Sequence, residues 1–480
     1  MRKEEHFSNK FWQLTQLLYD GEWRRFGLWL HSPWCNSQKK LQQLYNLLKR
    51  GYPDFEHKRF AKENLFAKLY PQHAYNAKWM RNLLSDLIVE LERFILHERI
   101  RRDSKEGKLA LADEYLKRGR KDWFFKGAKR LVSDLEDQAV KDWEDHLALA
   151  LLNEKMYRNV ESSERQQVGA DYLYESEQCL DYFYRLGKMR CWVERAERQK
   201  IVGEERAVEQ RLGLFGDMRQ GDLKDASVWY WQYLEEGSSF EDLKEKYLKH
   251  RANYDRKDQK IMIFLLLNKG GRLWLKNAKI LEEAFALYRL GLEEKLLLHH
   301  GRMTSNTFGN IVSIGNTLKA FDFVQAFVPA YLPLLAPEVQ DDASDWARTH
   351  LFYNQGKRDL SQLELKLSQQ KQDRTIFSLR TKVLLLQIRF DNFLAEKKVG
   401  LQWLDFSLAF EKQLVRNRNF SAKRLQGFKK FVQYSRRLYR LVGDPNVEQA
   451  DLIGIESELL DEAVVRARKW LLNKIRALKK

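Results

Sequence analysis

Apolar residues recur at intervals of three and four through nearly the whole chain, the spacing that gathers side chains on one face of an α-helix. Trp79, Leu83, Leu87, Leu91 and Phe94 form one such stripe, flanked by Met80, Leu84, Ile88 and Ile95, with Asn76 placed to cap the helix they define. Upstream, Phe11–Tyr19 and Glu22–Leu30 read as amphipathic helices, the second presenting Trp23, Phe26, Trp29 and Leu30. Leu41, Leu44, Tyr45 and Leu48 mark a third, ending near Arg50, and a fourth is expected over Lys58–Leu69. Pro33, Pro53 and Pro71 separate these segments, because proline in a helix interior costs about 3 kcal/mol.

Between about residues 108 and 275 the helical pattern runs on without a proline. Its candidate breaks are Gly119, Gly187, Gly203, Gly213–Gly221 and Gly237-Ser238-Ser239. Aromatic residues cluster here as Trp123-Phe124-Phe125, Tyr182-Phe183-Tyr184 and Trp229-Tyr230-Trp231 with Tyr233. Adjacent rings point to different faces, so these helices are expected to be covered on both sides, as in the middle of a stack. From about residue 277 the pattern becomes regular. Helices are expected at Asn277–His299, Ser305–Leu318 and Phe321–Leu335, followed by three antiparallel pairs. Asp341–Tyr353 pairs with Arg358–Ser368, Asp373–Phe393 with Lys398–Leu414, and Ser421–Leu441 with one helix over Gln449–Leu478.

These elements define an all-α protein: an α-solenoid of antiparallel helical hairpins with a compact helical N-terminal module. The expected divisions are 1–105 for the module, 106–276 for an aromatic-rich array and 277–480 for hairpin repeats. Two resemblances support the scheme. Ala343, Ala347 and Leu351-Phe352-Tyr353-Asn354-Gln355-Gly356 resemble the first helix of a tetratricopeptide repeat, as do Asn310–Asn316 with Ala320–Phe327. In addition, Phe26–Asn36, Tyr52-Pro53-Asp54-Phe55, Arg81–Leu87 and Leu414–Phe431 are similar to a group of Bacteroidetes helical proteins that carry no known activity. Together they imply a tetratricopeptide-like C-terminal half and name no reaction.

Composition adds a charge signal. The chain of 480 residues holds 85 Lys and Arg against 67 Asp and Glu, a net charge of +18. Such an excess favours a polyanionic partner, or else reflects long basic stems covering apolar surface. The signal is strongest over Lys412–Arg440, which has ten basic and no acidic residues across 29 positions. Arg416, Arg418, Lys423, Arg424, Lys429, Lys430, Arg436 and Arg437 are its candidate binding residues, with Phe420, Phe428, Phe431, Tyr434 and Tyr439 interleaved. Cations there would draw phosphates, and exposed rings would stack on bases. Alternatively the rings face a neighbouring helix and the cations face water. A weaker candidate is Lys62–Phe94, where two helices about Pro71 resemble a helix-turn-helix, with Lys78 and Arg81 at the start of the second.

Candidate catalytic chemistry is sparse. His299-His300, the glycines of Gly213–Gly216 and Gly270-Gly271, and the pairs Glu204-Glu205 and Glu293-Glu294 fit no metal, phosphate-loop or acid–base pattern. Cys35, Cys179 and Cys191 have no paired spacing, and the longest apolar run, Ile261–Leu267, is too short for a membrane span. The expectation is a cytoplasmic, non-catalytic protein-binding scaffold without cofactor or membrane insertion, with nucleic-acid binding as the alternative.

Overall fold

The structure, a computed structural model, describes residues 9–53, 55, 57–100, 104–160, 169–202, 225–235, 237–274, 277–356, 375–396, 401–420, 422–442, 449–462 and 465–479. Among them are 21 α-helices and no β-strand, so the all-α reading holds. The chain divides into two compact units, one of Met1–Asp137 with Ala148–Glu177, the other of Gln138–Leu147 with Gln178–Lys480. The breaks expected at Gly203 and Gly213–Gly221, the Glu204-Glu205 pair and the helix over Arg358–Ser368 lie outside the described residues.

The first unit begins with α1 (Asn9–Thr15), α2 (Glu22–His31), α3 (Lys39–Leu48), α4 (Lys62–Leu69) and α5 (Ala77–Arg99). Asn76 caps α5 as its spacing implies, its side-chain oxygen accepting from the backbone N–H groups of Lys78 and Trp79 at 3.0 and 3.1 Å. Met80, Leu84, Leu87, Leu91 and Phe94 then bury one full stripe of α5 against α1, α2 and α3. Trp23 anchors the aromatic side of this core, stacked on Tyr52 at 5.0 Å and edge-on to Phe11 and Phe55. The rest of this unit includes α6 (Lys105–Lys117), α7 (Lys121–Glu136) and residues from 148 onward of α8 (Trp143–Asn159). Here Phe124 is buried while Trp123 lies half-exposed beneath Arg120, so this aromatic cluster is covered on one side only.

The second unit takes in α9 (Gly169–Val202) from residue 178, followed by α10 (Ala226–Leu234), α11 (Phe240–His250), α12 (Arg256–Leu273) and α13 (Ala278–Glu293). Its later helices are α14 (Ser305–Thr317), α15 (Phe321–Tyr331), α16 (Pro337–Asn354), α17 (Ile376–Glu396), α18 (Leu401–Arg416), α19 (Ala422–Val442), α20 (Gln449–Asp461) and α21 (Arg468–Leu478). Each of α10 to α13 packs on the next, and α14 packs on α13, α15, α16 and α17. Further on, α17 contacts α18 and α19, and α21 contacts both α19 and α20. Trp229, Tyr230, Trp231 and Tyr233 are all buried, which places α10 in the interior as its all-round apolar pattern implies.

Several elements differ from the sequence expectation: α1 stops at Thr15 rather than Tyr19, α15 stops at Tyr331 rather than Leu335, and Gly187 lies inside α9 rather than at a break. The helix expected to reach His299 stops at Glu293, because Lys295 turns left-handed at φ 56° and Leu296 donates its N–H back to the Gly291 carbonyl at 2.8 Å. That reversal buries Leu296 and Leu297, and a β-carbon at Gly291 would lie 2.8 Å from Leu297. The single helix expected over Gln449–Leu478 is two helices. Ala467 is left-handed at φ 50°, Arg466 donates its N–H to the Gly427 carbonyl at 3.1 Å, and the Arg468 guanidinium binds the Glu462 carbonyl. The chain doubles back there, so Leu459 of α20 and Leu471 and Ile475 of α21 share one core. By contrast, α16 ends at its expected turn, with Gly356 at φ 70°.

Buried polar contacts lock α9 to α10 and α12. Arg190 on α9 bonds Asp258 and Asp255 at the start of α12, both at 2.7 Å, and Tyr230 donates to Asp258 at 2.7 Å. Two turns along, Glu197 on α9 takes a bidentate Arg272 from the end of α12 at 2.9 and 3.2 Å, and Tyr233 donates to Glu197 at 2.8 Å. The polarity is inverted between the two sites: α9 supplies the cation in one and the anion in the other. Sliding or reversing α9 would bring like charges together, so the pair of sites sets one register.

Candidate functional site

The apolar positions of α19 explain how its basic residues are displayed. Leu425, Phe428, Phe431, Val432, Ser435 and Leu438 repeat at helical spacing and are buried. Lys430, Gln433, Arg436, Arg437 and Arg440 project from the remaining surface, with Tyr434 beneath them. Because α21 packs on both α19 and α20, it holds those two helices apart, and a cleft of about 800 Å³ lies between them. The α20 wall carries Glu458, Asp461 and Glu462.

Most of the cations in this cleft already have partners. Lys430 bonds Glu462 at 2.9 Å, Arg437 bonds Glu458 through two contacts of 2.5 and 3.0 Å, and Arg436 pairs with Glu411 of α18. The Glu462 bond holds the Lys430 ammonium above its ordinary range, and Arg437 holds the Glu458 carboxyl below its own. Burial pushes the Tyr434 hydroxyl up, reinforced by Glu462 and Glu458. The Arg437 guanidinium lies over the Tyr434 ring at 5.6 Å. Arg440 and Asp461 are exposed, and neither forms an ion pair with a described residue. Gly454 stands one turn before Glu458 on the same face of α20. A β-carbon there would meet nothing within 4 Å, although glycine inside a helix costs roughly 0.5–1 kcal/mol relative to alanine.

The eight basic residues singled out in the sequence therefore separate. Lys430, Arg436 and Arg437 meet in the cleft. Lys429 is half-buried, Arg416 is exposed at the end of α18, and Arg418 is exposed in the turn that follows. The side chains of Lys423 and Arg424 lie outside the described residues. The interleaved rings belong to the core: Phe428, Phe431 and Tyr434 are buried, and Tyr439 stacks on Trp403 at 4.6 Å. Lys78 and Arg81 are exposed at the first turn of α5, whose apolar stripe is occupied within its own unit.

Glu458, Asp461, Glu462 and Arg440 complete the cleft and were not among the sequence candidates. Their signal is present in Glu458 and Glu462, which stand one turn apart on one helix face and meet Arg437 and Lys430 in antiparallel order. Reading Gln449–Leu478 as one helix hides that register. A smaller groove of about 320 Å³ lies between α13 and α15, floored by the stacked rings of Phe323, Phe327 and Tyr331.

Among the described residues, no three His, Cys, Asp or Glu side chains gather as a metal site, and no helix is long and apolar enough to cross a membrane. No protein-family model matches the chain, and neither a curated protein nor a solved structure matches it.

Proposed function

We propose that this chain is a non-catalytic protein-binding scaffold and that the cleft between α19 and α20 is its binding surface. In this reading the second unit is an α-solenoid of antiparallel, tetratricopeptide-like hairpins, supported by helices that pack on their next and next-but-one neighbours. The observation that carries the function is the opposed charge of the two cleft walls, basic on α19 and acidic on α20. A polypeptide can present both signs to such a cleft, whereas a nucleic acid presents phosphates to the acidic wall as well. Nucleic-acid binding is the second reading, favoured by the exposed Arg416, Arg418 and Arg440.

The test compares wild type with Gly454→Trp, which puts an indole one turn from Glu458 on the same face of α20, at a position where a β-carbon meets nothing within 4 Å. Affinity purification of the full chain should retain a stoichiometric protein that the variant loses. Equal retention by both chains, or material released by nuclease, overturns the reading.

A further inference from the structure

Once the internal pairs of the cleft are set aside, one cation and one anion remain among the described residues of its walls. Glu462 holds Lys430, Glu458 holds Arg437 and Glu411 holds Arg436. Among the described lining residues this leaves Arg440 on α19 and Asp461 on α20, both exposed. The pairs also fix where these two stand. Since Lys430 faces Glu462 and Arg437 faces Glu458, the helices run antiparallel. Arg440 lies about one turn beyond the Arg437–Glu458 pair, toward the end where α20 presents only the backbone of Gly454. Asp461 lies nearly one turn in the other direction, beside the Lys430–Glu462 pair. At 1.5 Å of rise per residue, counting from the Arg437–Glu458 pair puts the two charges about 9 Å apart along the cleft, and counting from Lys430–Glu462 about 14 Å.

Building on the protein-binding reading of this cleft, we propose that it takes a peptide segment carrying one acidic and one basic side chain roughly 9–14 Å apart. The acidic group pairs with Arg440 and the basic group with Asp461. In a helical ligand this spacing is about six to nine residues, and in an extended one about three to four. The open backbone at Gly454 lets the ligand approach α20 closely beside Arg440. A ligand with acidic groups alone satisfies Arg440 but meets Asp461, Glu458 and Glu462 on the opposite wall. A single-stranded nucleic acid meets the same wall, and buried Phe428 and Phe431 offer it no stacking surface.

The experiment uses the full chain and fluorescence anisotropy with three labelled synthetic helical peptides of equal length. One carries Glu and Lys seven residues apart, one Glu at both positions and one Lys at both. A single-stranded oligonucleotide is the fourth probe. Wild type should bind the mixed peptide roughly fivefold more tightly than either uniform one, as two exposed ion pairs allow. Arg440→Glu should shift the preference to the Lys/Lys peptide, and Asp461→Lys to the Glu/Glu peptide. Both positions are exposed, and a thermal melt of each variant checks that the fold is intact. Equal affinity for the three peptides, or an unchanged ranking in both variants, overturns this inference while leaving the Gly454→Trp result to decide the scaffold reading. An oligonucleotide bound more tightly than any peptide, and lost in Arg440→Glu, overturns both.

Discussion

The contact of α9 with α10 and α12, and the cleft between α19 and α20, use the same materials: tyrosines, carboxylates and basic side chains paired across helices. In the first, Tyr230 and Asp258 are buried beneath Arg190, and Tyr233 and Glu197 are buried against Arg272. Burial disfavours the Glu197 charge, yet the Arg272 and Tyr233 bonds outweigh it and hold that carboxyl below its usual range. In the cleft, Glu458 and Arg437 stand in water, where a competing charge from another molecule can replace either partner at little cost. Depth therefore separates a contact that fixes helix register from one available for exchange.

The sharpest way to break this contrast is to remove one charge from the buried set. Asp258→Ala leaves Arg190 with Asp255 as its remaining carboxylate and Tyr230 without its acceptor, and should cost about 3–5 kcal/mol in urea unfolding, with the second unit lost first. A smaller effect comes from His350 on α16, which bonds Asn316 at 2.7 Å and stacks on Trp346. Burial, then the Arg380 charge, depresses this imidazole to about 4 from its ordinary 6.5. The unfolded chain binds the proton first. Stability from neutral His350 is therefore complete above pH 6.5 and declines as pH falls toward 4, by about 3 kcal/mol in all. Unfolding free energies from urea titrations at pH 7 and pH 4 should differ by that much less in His350→Gln than in wild type.

Tyr233→Phe removes a buried hydroxyl that bonds Glu197 at 2.8 Å and, at 3.4 Å, the Leu265 carbonyl and Arg272, and should cost about 1–2 kcal/mol by the same measurement. Smallest of all, Glu458→Gln should leave the unfolding midpoint unchanged while freeing Arg437 for a ligand. A large loss of stability there would make the cleft another structural contact and remove the contrast.

Helices were the legible part of this sequence, because their evidence is local. Asn76 followed by the α5 stripe, and Asn354-Gln355-Gly356 closing α16, carry their own start and stop signals. What depends on distant partners was not legible in the same way. The break near Ala467 is made by Arg466 reaching Gly427 and Arg468 reaching Glu462, neither of which alters the apolar spacing. The basic run over Lys412–Arg440 likewise looks unopposed because its counterions, Glu411, Glu458 and Glu462, flank it in sequence and return to it only through folding. The burial of Phe428 and Phe431 did follow from their spacing, as the helix-facing alternative anticipated.

The inverted polarity of the two α9 sites also bears on how the sequence can change over time. Replacing Arg190 alone strands Asp258, and replacing Glu197 alone strands Arg272, so each change is harmful until its partner changes too. Descendants of this chain should inherit the four positions as linked pairs, while Arg440 and Asp461 stay free to drift one at a time with whatever they meet.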